Sequence, residues 1–191
     1  MVKCQIPPKK TNERWRNYEP TNCHSYLDWY YCDPTSLDCP LRHVSEPMNK
    51  PEPHYEDGTF NECTSCNQPN LNKAINDRER YIFFFTKYAG RDKNLREKFG
   101  KKYCITGYYE IGKTKNVNWG RAVQSKKTCF YNMNDSFPLE KIDGWNPNWN
   151  RNPRYTKKHL SMEDTQKIIK HFSNKKNRIS FYIRETKKLY S

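Results

Sequence analysis

Two short apolar runs stand out against a polar chain. They are Tyr81-Ile82-Phe83-Phe84-Phe85-Thr86 and Tyr103-Cys104-Ile105-Thr106-Gly107-Tyr108-Tyr109-Glu110-Ile111. Both are rich in aromatic and β-branched residues, which predicts strands over 81–86 and 103–111. Residues 119–123 and 128–131 read as two further strands, and 137–142 as a short terminal strand or turn. Ahead of the first run, 71–80 predicts a short helix capped by Asn70. Ser161-Met162-Glu163-Asp164 resembles a capping box, opening a helix to about Phe172 with Thr165, Ile168, Ile169 and Phe172 on one face. Beyond it Ile179, Phe181 and Ile183 alternate, which suits a final strand, with a second helix as the alternative.

The remaining stretches read as connections. Residues 1–60 contain Pro7, Pro8, Pro20, Pro34, Pro40, Pro47, Pro51 and Pro53, which break any long element. Only 26–31 looks strand-like there, or like one helical turn. Residues 89–101 form a cationic connector between the two aromatic runs, and 143–159 a polar loop carrying Trp145 and Trp149. The expected organisation is a loop-rich segment over 1–62 and a folded α+β domain over 63–191.

Composition sharpens this picture. In 191 residues the hydrophobic share is only 34% and the net charge is +14, a pairing that can signal disorder. The 14 Tyr, 9 Phe and 5 Trp argue instead for a packed core. Charge is uneven: residues 81–127 hold 12 Lys/Arg against 3 Asp/Glu, whereas residues 1–80 hold 10 against 12. Clustered cations interleaved with aromatics point to a polyanionic partner, nucleic acid first; a solvated, lysine-rich surface is the plainer alternative. The phosphate-contact candidates are Lys87, Arg91, Lys93, Arg96, Lys98, Lys101, Lys102, Lys113, Lys115 and Arg121. No run approaches the roughly 20 apolar residues of a membrane helix. The first residues lack the apolar core of a signal peptide, so the expectation is a cytoplasmic protein without a membrane partner.

Eight cysteines invite a metal reading. Cys63-Thr64-Ser65-Cys66 has the spacing with which two thiolates grip one tetrahedral zinc. Cys39 and His43 are candidates for the other two ligands, with Cys32 able to replace His43. Three states stay open for this set: structural zinc, reduced thiols or disulfides. Cys104 and Cys129 sit in strand-like runs and read as core.

The order of elements has a counterpart. Asn70-Leu71-Asn72-Lys73-Ala74, then Tyr81-Ile82-Phe83-Phe84-Phe85, then Tyr103 to Ile111 with its Gly107-Tyr108-Tyr109-Glu110-Ile111, resembles the heart of YTH and EVE domains. Asp164-Thr165-Gln166 resembles the Asp-x-Gln element near the end of YTH domains. The likeness covers about residues 64–172. It implies a PUA-like fold, a small β barrel flanked by helices, and binding of DNA or RNA. YTH domains, and EVE-like domains of modification-dependent restriction enzymes, read modified bases. Trp119 falls where a cage tryptophan is expected, and Asn70 and Asp164 fall on the helix and terminal motifs. The chain departs from the pattern at 63–66, where YTH domains place another tryptophan, and at Glu163, where they often carry Arg.

The expected function is therefore a non-catalytic reader that accepts a rotated-out, methylated base, as a restriction system's targeting module would. Such a base offers two π faces and a hydrogen-bonding edge. Trp119, Tyr88, Tyr108 and Trp145 are the stacking candidates; core or loop packing is the alternative for each. Two other readings compete. Glu185-Thr186-Lys187 matches half of a nuclease site, making a nuclease or base-modifying enzyme on the same fold the second. A protein-interaction module with a basic face is the third.

Overall fold

The computed structural model describes residues 13–21, 24–29, 53–61, 69–88, 92–117, 120–145 and 159–190. In chain order these form β1 (Arg16–Asn17), β2 (Ser25–Trp29), β3 (Thr59–Phe60), α1 (Pro69–Asn76), β4 (Tyr81–Lys87), α2 (Lys93–Phe99), β5 (Tyr103–Val117), β6 (Gly120–Phe130), β7 (Phe137–Pro138), β8 (His159–Leu160), α3 (Met162–Phe172) and α4 (Ile179–Tyr190). The strands make one curled, mostly antiparallel sheet in the order β3-β6-β5-β4-β2-β8. The only parallel pair among the described strands is β2 with β4; β1 and β7 add to β5. The fold is α+β, as expected.

The aromatic runs become strands because both sheet faces are covered, so the central strands need no polar face. Ile82 and Phe84 point into one core with Tyr109, Ile111, Val123 and Phe130, closed by Leu71, Ala74 and Ile75 of α1 and Tyr182 of α4. Phe83 and Phe85 point into a second core with Ile105, Tyr108, Cys129 and Tyr131, closed by Ile168 and Phe172 of α3. Each fully buried aromatic contributes roughly 1.5–3 kcal/mol. Gly107 lies between β4 and β6, where an added Cβ would sit 2.3 Å from the Phe130 ring. That contact explains why a β5 otherwise packed with large residues carries glycine there.

Several expectations change in the folded chain. Residues 1–60 are not all loop, since β1, β2 and β3 join the sheet, and β2 lies between β4 and β8. The described parts of 1–62 thus share a sheet with 63–191. The two strands expected at 119–123 and 128–131 are one strand, β6; exposed Lys126 and Lys127 interrupt its apolar pattern where the register shifts against β5. The cationic connector contains a helix, α2, capped by Asp92, which accepts from the Leu95 amide at 2.8 Å, with Leu95 and Phe99 buried one turn apart. Asn70 is not the cap of α1 but lies inside it, after Pro69 at the first position. The alternating segment 179–183 is a helix. Its decisive residue is Tyr182, wholly buried, with its hydroxyl donating to the Tyr131 carbonyl at 2.7 Å. Ile179, Tyr182 and Ile183 follow helical spacing, which the two-residue alternation masks. The α3 expectation holds: Ser161 caps it, accepting from the Asp164 amide at 3.1 Å.

One ion cluster ties the three central strands. Glu110 on β5 accepts from Arg80 just before β4 at 2.8 Å and from Lys126 on β6 at 3.2 Å. Burial opposes its ionisation, but the two cationic donors together outweigh burial and hold the carboxyl below its ordinary value. A lowered carboxylate pKa stabilises the fold above the unfolded pKa, and that contribution is lost as pH falls through the folded value. Glu110→Gln should thus lower stability at neutral pH by on the order of 1 kcal/mol, given half-exposed partners. The gap from wild type, read by urea unfolding, should close below about pH 4.

Candidate nucleic-acid interface

Beyond Ile111 the β5–β6 pair changes character. Burial gives way to Lys113, Thr114, Lys115 and Asn116 on β5, with Arg121 opposite Asn116 on β6. β1 pairs with this outer half, Arg16 against Thr114 and Asn17 against Lys113. The result is a three-stranded ribbon bearing Arg16, Lys113, Lys115 and Arg121, with Arg14 two residues before β1. Strand alternation places Lys113 and Lys115 on one face and Arg16 on the other. The Lys115 ammonium stands 4.4 Å from the centre of the Trp15 ring, a contact contributing roughly 0.5–1 kcal/mol at an exposed site. One acid enters the ribbon: the Glu13 carboxylate accepts from the Asn116 amide at 3.2 Å.

Two amide side chains, Asn61 fully buried and Asn72 partly so, converge where β6 begins. Asn61 follows β3 in the left-handed region, φ 63°, which Asn tolerates better than most residues. It is fully buried, and its Nδ2 donates to the Arg121 carbonyl at 2.9 Å. That bond fixes the amide's orientation and leaves Oδ1 without a hydrogen-bond partner among the described residues. Asn72, in the first half of α1, likewise keeps a buried Oδ1 without a partner among them. An added Cβ on Gly120 would lie 2.7–2.8 Å from the Asn72 amide, and Gly120 has φ 149°. Glycine is therefore required both for its conformation and for the room it leaves. An unmet buried acceptor costs about 1–3 kcal/mol, and two of them lie beside one strand end, where each could accept a further hydrogen bond.

The sequence-stated candidates scatter over several places. Lys113, Lys115 and Arg121 come together on the ribbon. Lys87 lies at the other end of β5, its ammonium 5.9 Å from the Tyr103 ring; roughly 40 Å of strand separates the two ends at about 3.3 Å per residue. Tyr88 and Tyr108 are only 2% and 5% exposed, so neither offers a ring face to a base, and both belong to the core. Tyr88 packs with Leu95, Phe99, Cys104 and Met133. Tyr108 lies among Tyr81, Phe83, Tyr131 and Phe172. Trp145 is half-buried against Tyr103, ring centres 6.3 Å apart, which is loop packing. Asp164 is buried at the start of α3, where it accepts from the Ser161 hydroxyl and the Asp143 amide; that makes it a brace instead of a phosphate contact. Asn70 lies in α1 two residues before Asn72. Trp119, Arg91 and the proposed zinc ligands Cys39, His43, Cys63 and Cys66 lie outside the described residues. Cys104 and Cys129 are buried free thiols, as expected, and burial pushes the Cys104 thiol up to about 11, which leaves it inert.

Sequence reasoning missed Arg14, Arg16, Asn61 and Asn72 as site residues. The basic–aromatic–basic triplet Arg14-Trp15-Arg16, matching the alternation of Lys113-Thr114-Lys115, is the signal that finds the first two. Nothing local marks the asparagines. Comparison with protein-family models, curated proteins and solved structures gives no significant match. No helix among the described residues is long and apolar enough to cross a membrane.

Gly120→Ala tests the close approach of Asn72 directly. The new methyl has to displace the Asn72 amide and adopt a φ that side chains disfavour. The variant should lose about 1–3 kcal/mol in chemical denaturation, while Gly144→Ala, strained by its φ of 73° but with no neighbour to displace, loses less.

Proposed function

We propose that this protein is a nucleic-acid reader of the PUA-like, EVE/YTH-like kind, acting by binding and not by catalysis. The β1–β5–β6 ribbon follows the phosphate backbone, and the Asn61–Asn72 amide pair beside Gly120 accepts the edge of a base rotated out of its stack. The observation that carries this reading is the juxtaposition itself. Four cationic side chains lie on one ribbon, Arg16 and Arg121 on one face and Lys113 and Lys115 on the other, and two buried amide oxygens lie at the start of its third strand, β6. Charge supplies salt-sensitive, sequence-independent attraction. An amide oxygen that accepts a hydrogen bond from a base's exocyclic N–H supplies selectivity, because a base lacking that donor leaves the acceptor unmet. The aromatic wall of the pocket falls to Trp119 on this reading, since Tyr88 and Tyr108 are committed to the core. A zinc bound by Cys39, His43, Cys63 and Cys66 would brace the segment that follows Asn61 in sequence. The targeting arm of a restriction system is the setting such a reader fits.

Fluorescence anisotropy over a salt series tests this. The ligands are single- and double-stranded DNA and RNA, each with and without methylated adenine or cytosine. Binding should weaken steeply with salt, and Lys113→Ala and Arg16→Ala should each reduce the slope of log affinity against log salt by about 0.7–0.9. Asn72→Ala should leave that slope unchanged and lower the preference between modified and unmodified bases by roughly tenfold. Absence of binding at low salt, or equal binding of heparin with no effect of the ribbon variants, overturns the proposal in favour of a protein-interaction module. Metal-dependent cleavage of the probes that Glu185→Gln abolishes would favour the nuclease reading.

A further inference from the structure

The end of α1 forms a second polar cluster that the nucleic-acid reading does not use. The helix closes by a Schellman motif: the Glu79 amide donates to the Ala74 carbonyl at 3.0 Å and the Arg78 amide to the Ile75 carbonyl at 3.2 Å. Arg78 takes the left-handed position, φ 55°, normally given to glycine. This turn sets Asp77 and Glu79 on either side of Arg78. The Tyr18 hydroxyl clamps it by donating to the Glu79 carbonyl at 2.9 Å. β8, paired with β2, brings His159 over the same turn, and its Nδ1 lies 2.6 Å from Glu79 Oε1.

The Glu79 side chain is 3% exposed. One carboxylate oxygen meets His159, whereas Oε2 is buried with no hydrogen-bond partner among the described residues. Burial pushes the Glu79 carboxyl above its ordinary value, even though the His159 hydrogen bond and charge pull the other way. A simple buried ion pair leaves that oxygen desolvated and unmet, which costs about 1–3 kcal/mol or more for a charged group. Asp77 stands at the exposed mouth, and one ligand atom from each of Asp77, Glu79 and His159 lies within 4.8 Å of the others.

The geometry points to a divalent transition-metal site formed by Glu79, His159 and Asp77. Two carboxylates and one imidazole suit first-row divalent ions, and three protein ligands leave a position open to water. Ligands around one tetrahedral ion lie about 3.4 Å apart at bond lengths near 2.1 Å. The pair at 2.6 Å therefore parts slightly, and the Asp77 carboxylate closes inward by roughly 1 Å, giving up its 3.7 Å contact with Lys73. A Glu79 carboxylate that binds through both oxygens satisfies the stranded Oε2, and the ion staples the end of α1 to β8, 80 residues away in sequence.

Manganese is the discriminating probe, because carboxylate and imidazole ligands accept it and thiolates such as Cys63 and Cys66 do not favour it. The full chain is titrated with Mn2+, following loss of the free-ion paramagnetic resonance signal, with circular dichroism as the control for folding. One equivalent should bind. Glu79→Gln and His159→Ala should each weaken binding at least tenfold, and the exposed Asp77→Asn severalfold. Where a core variant fails to fold, Asp77→Asn alone decides. A second arm reads the Zn2+-dependent rise in Tm, which Asp77→Asn should reduce. Absence of Mn2+ binding together with no Asp77-dependent Zn2+ effect overturns the site, as does binding that is equal in all variants. Neither readout involves nucleic acid, so the two proposals fail separately.

Discussion

Strand β5 is the constraint on which the rest depends. For its first half it is covered on both faces, so successive residues serve two different cores: Ile105 and Tyr108 one, Tyr109 and Ile111 the other. That arrangement requires helices on both sides, α1 and α4 against α3. It also requires the one carboxylate in the covered half, Glu110, to be held by cations from both neighbouring strands. Past Ile111 the strand's burial falls off and lysines alternate along it. The ribbon is therefore the part of β5 that runs beyond its two cores, with β1 replacing β4 as its neighbour.

What was legible in the sequence follows from where the forming interaction lies. β4 and the first half of β5 are visible as aromatic runs because each residue is buried regardless of its face. α3 is visible because its cap and apolar face are local. β1, β3 and β8 have two residues each, and only a partner strand makes them strands; no local pattern carries that information. β6 looked like two strands because Lys126 must reach Glu110 from the middle of it. α4 looked like a strand because Ile179, Phe181 and Ile183 alternate, while the residue that fixes its face, Tyr182, anchors on Tyr131, 51 residues earlier.

The candidate site divides the same way. Lys113, Lys115 and Arg121 could be named from charge density alone. Arg14 and Arg16 come from a segment whose overall charge is slightly acidic, so the bulk count hid them. Asn61 and Asn72 are two ordinary polar residues in sequence and become distinctive only when tertiary packing buries their amide oxygens. Tyr88 and Tyr108 show the opposite error: an aromatic in a basic protein reads as a stacking platform until burial assigns it to the core.

α1 connects these polar features. Asn72 on its first half faces Gly120 at the start of β6, and its closing turn carries Asp77 and Glu79 beneath β8. Its apolar stripe, Leu71, Ala74 and Ile75, is fixed in the first core, so neither polar end can move without disturbing that packing. Interiors are dense and resist small displacements. A ligand that satisfies Asn72 and an ion that satisfies Glu79 would therefore each hold the same eight-residue helix. Ordering contributed by one would already be in place for the other. Helix α1 is short for independent stability, which makes its two ends the place where ligand contacts add most to the rigidity of the sheet's covered face.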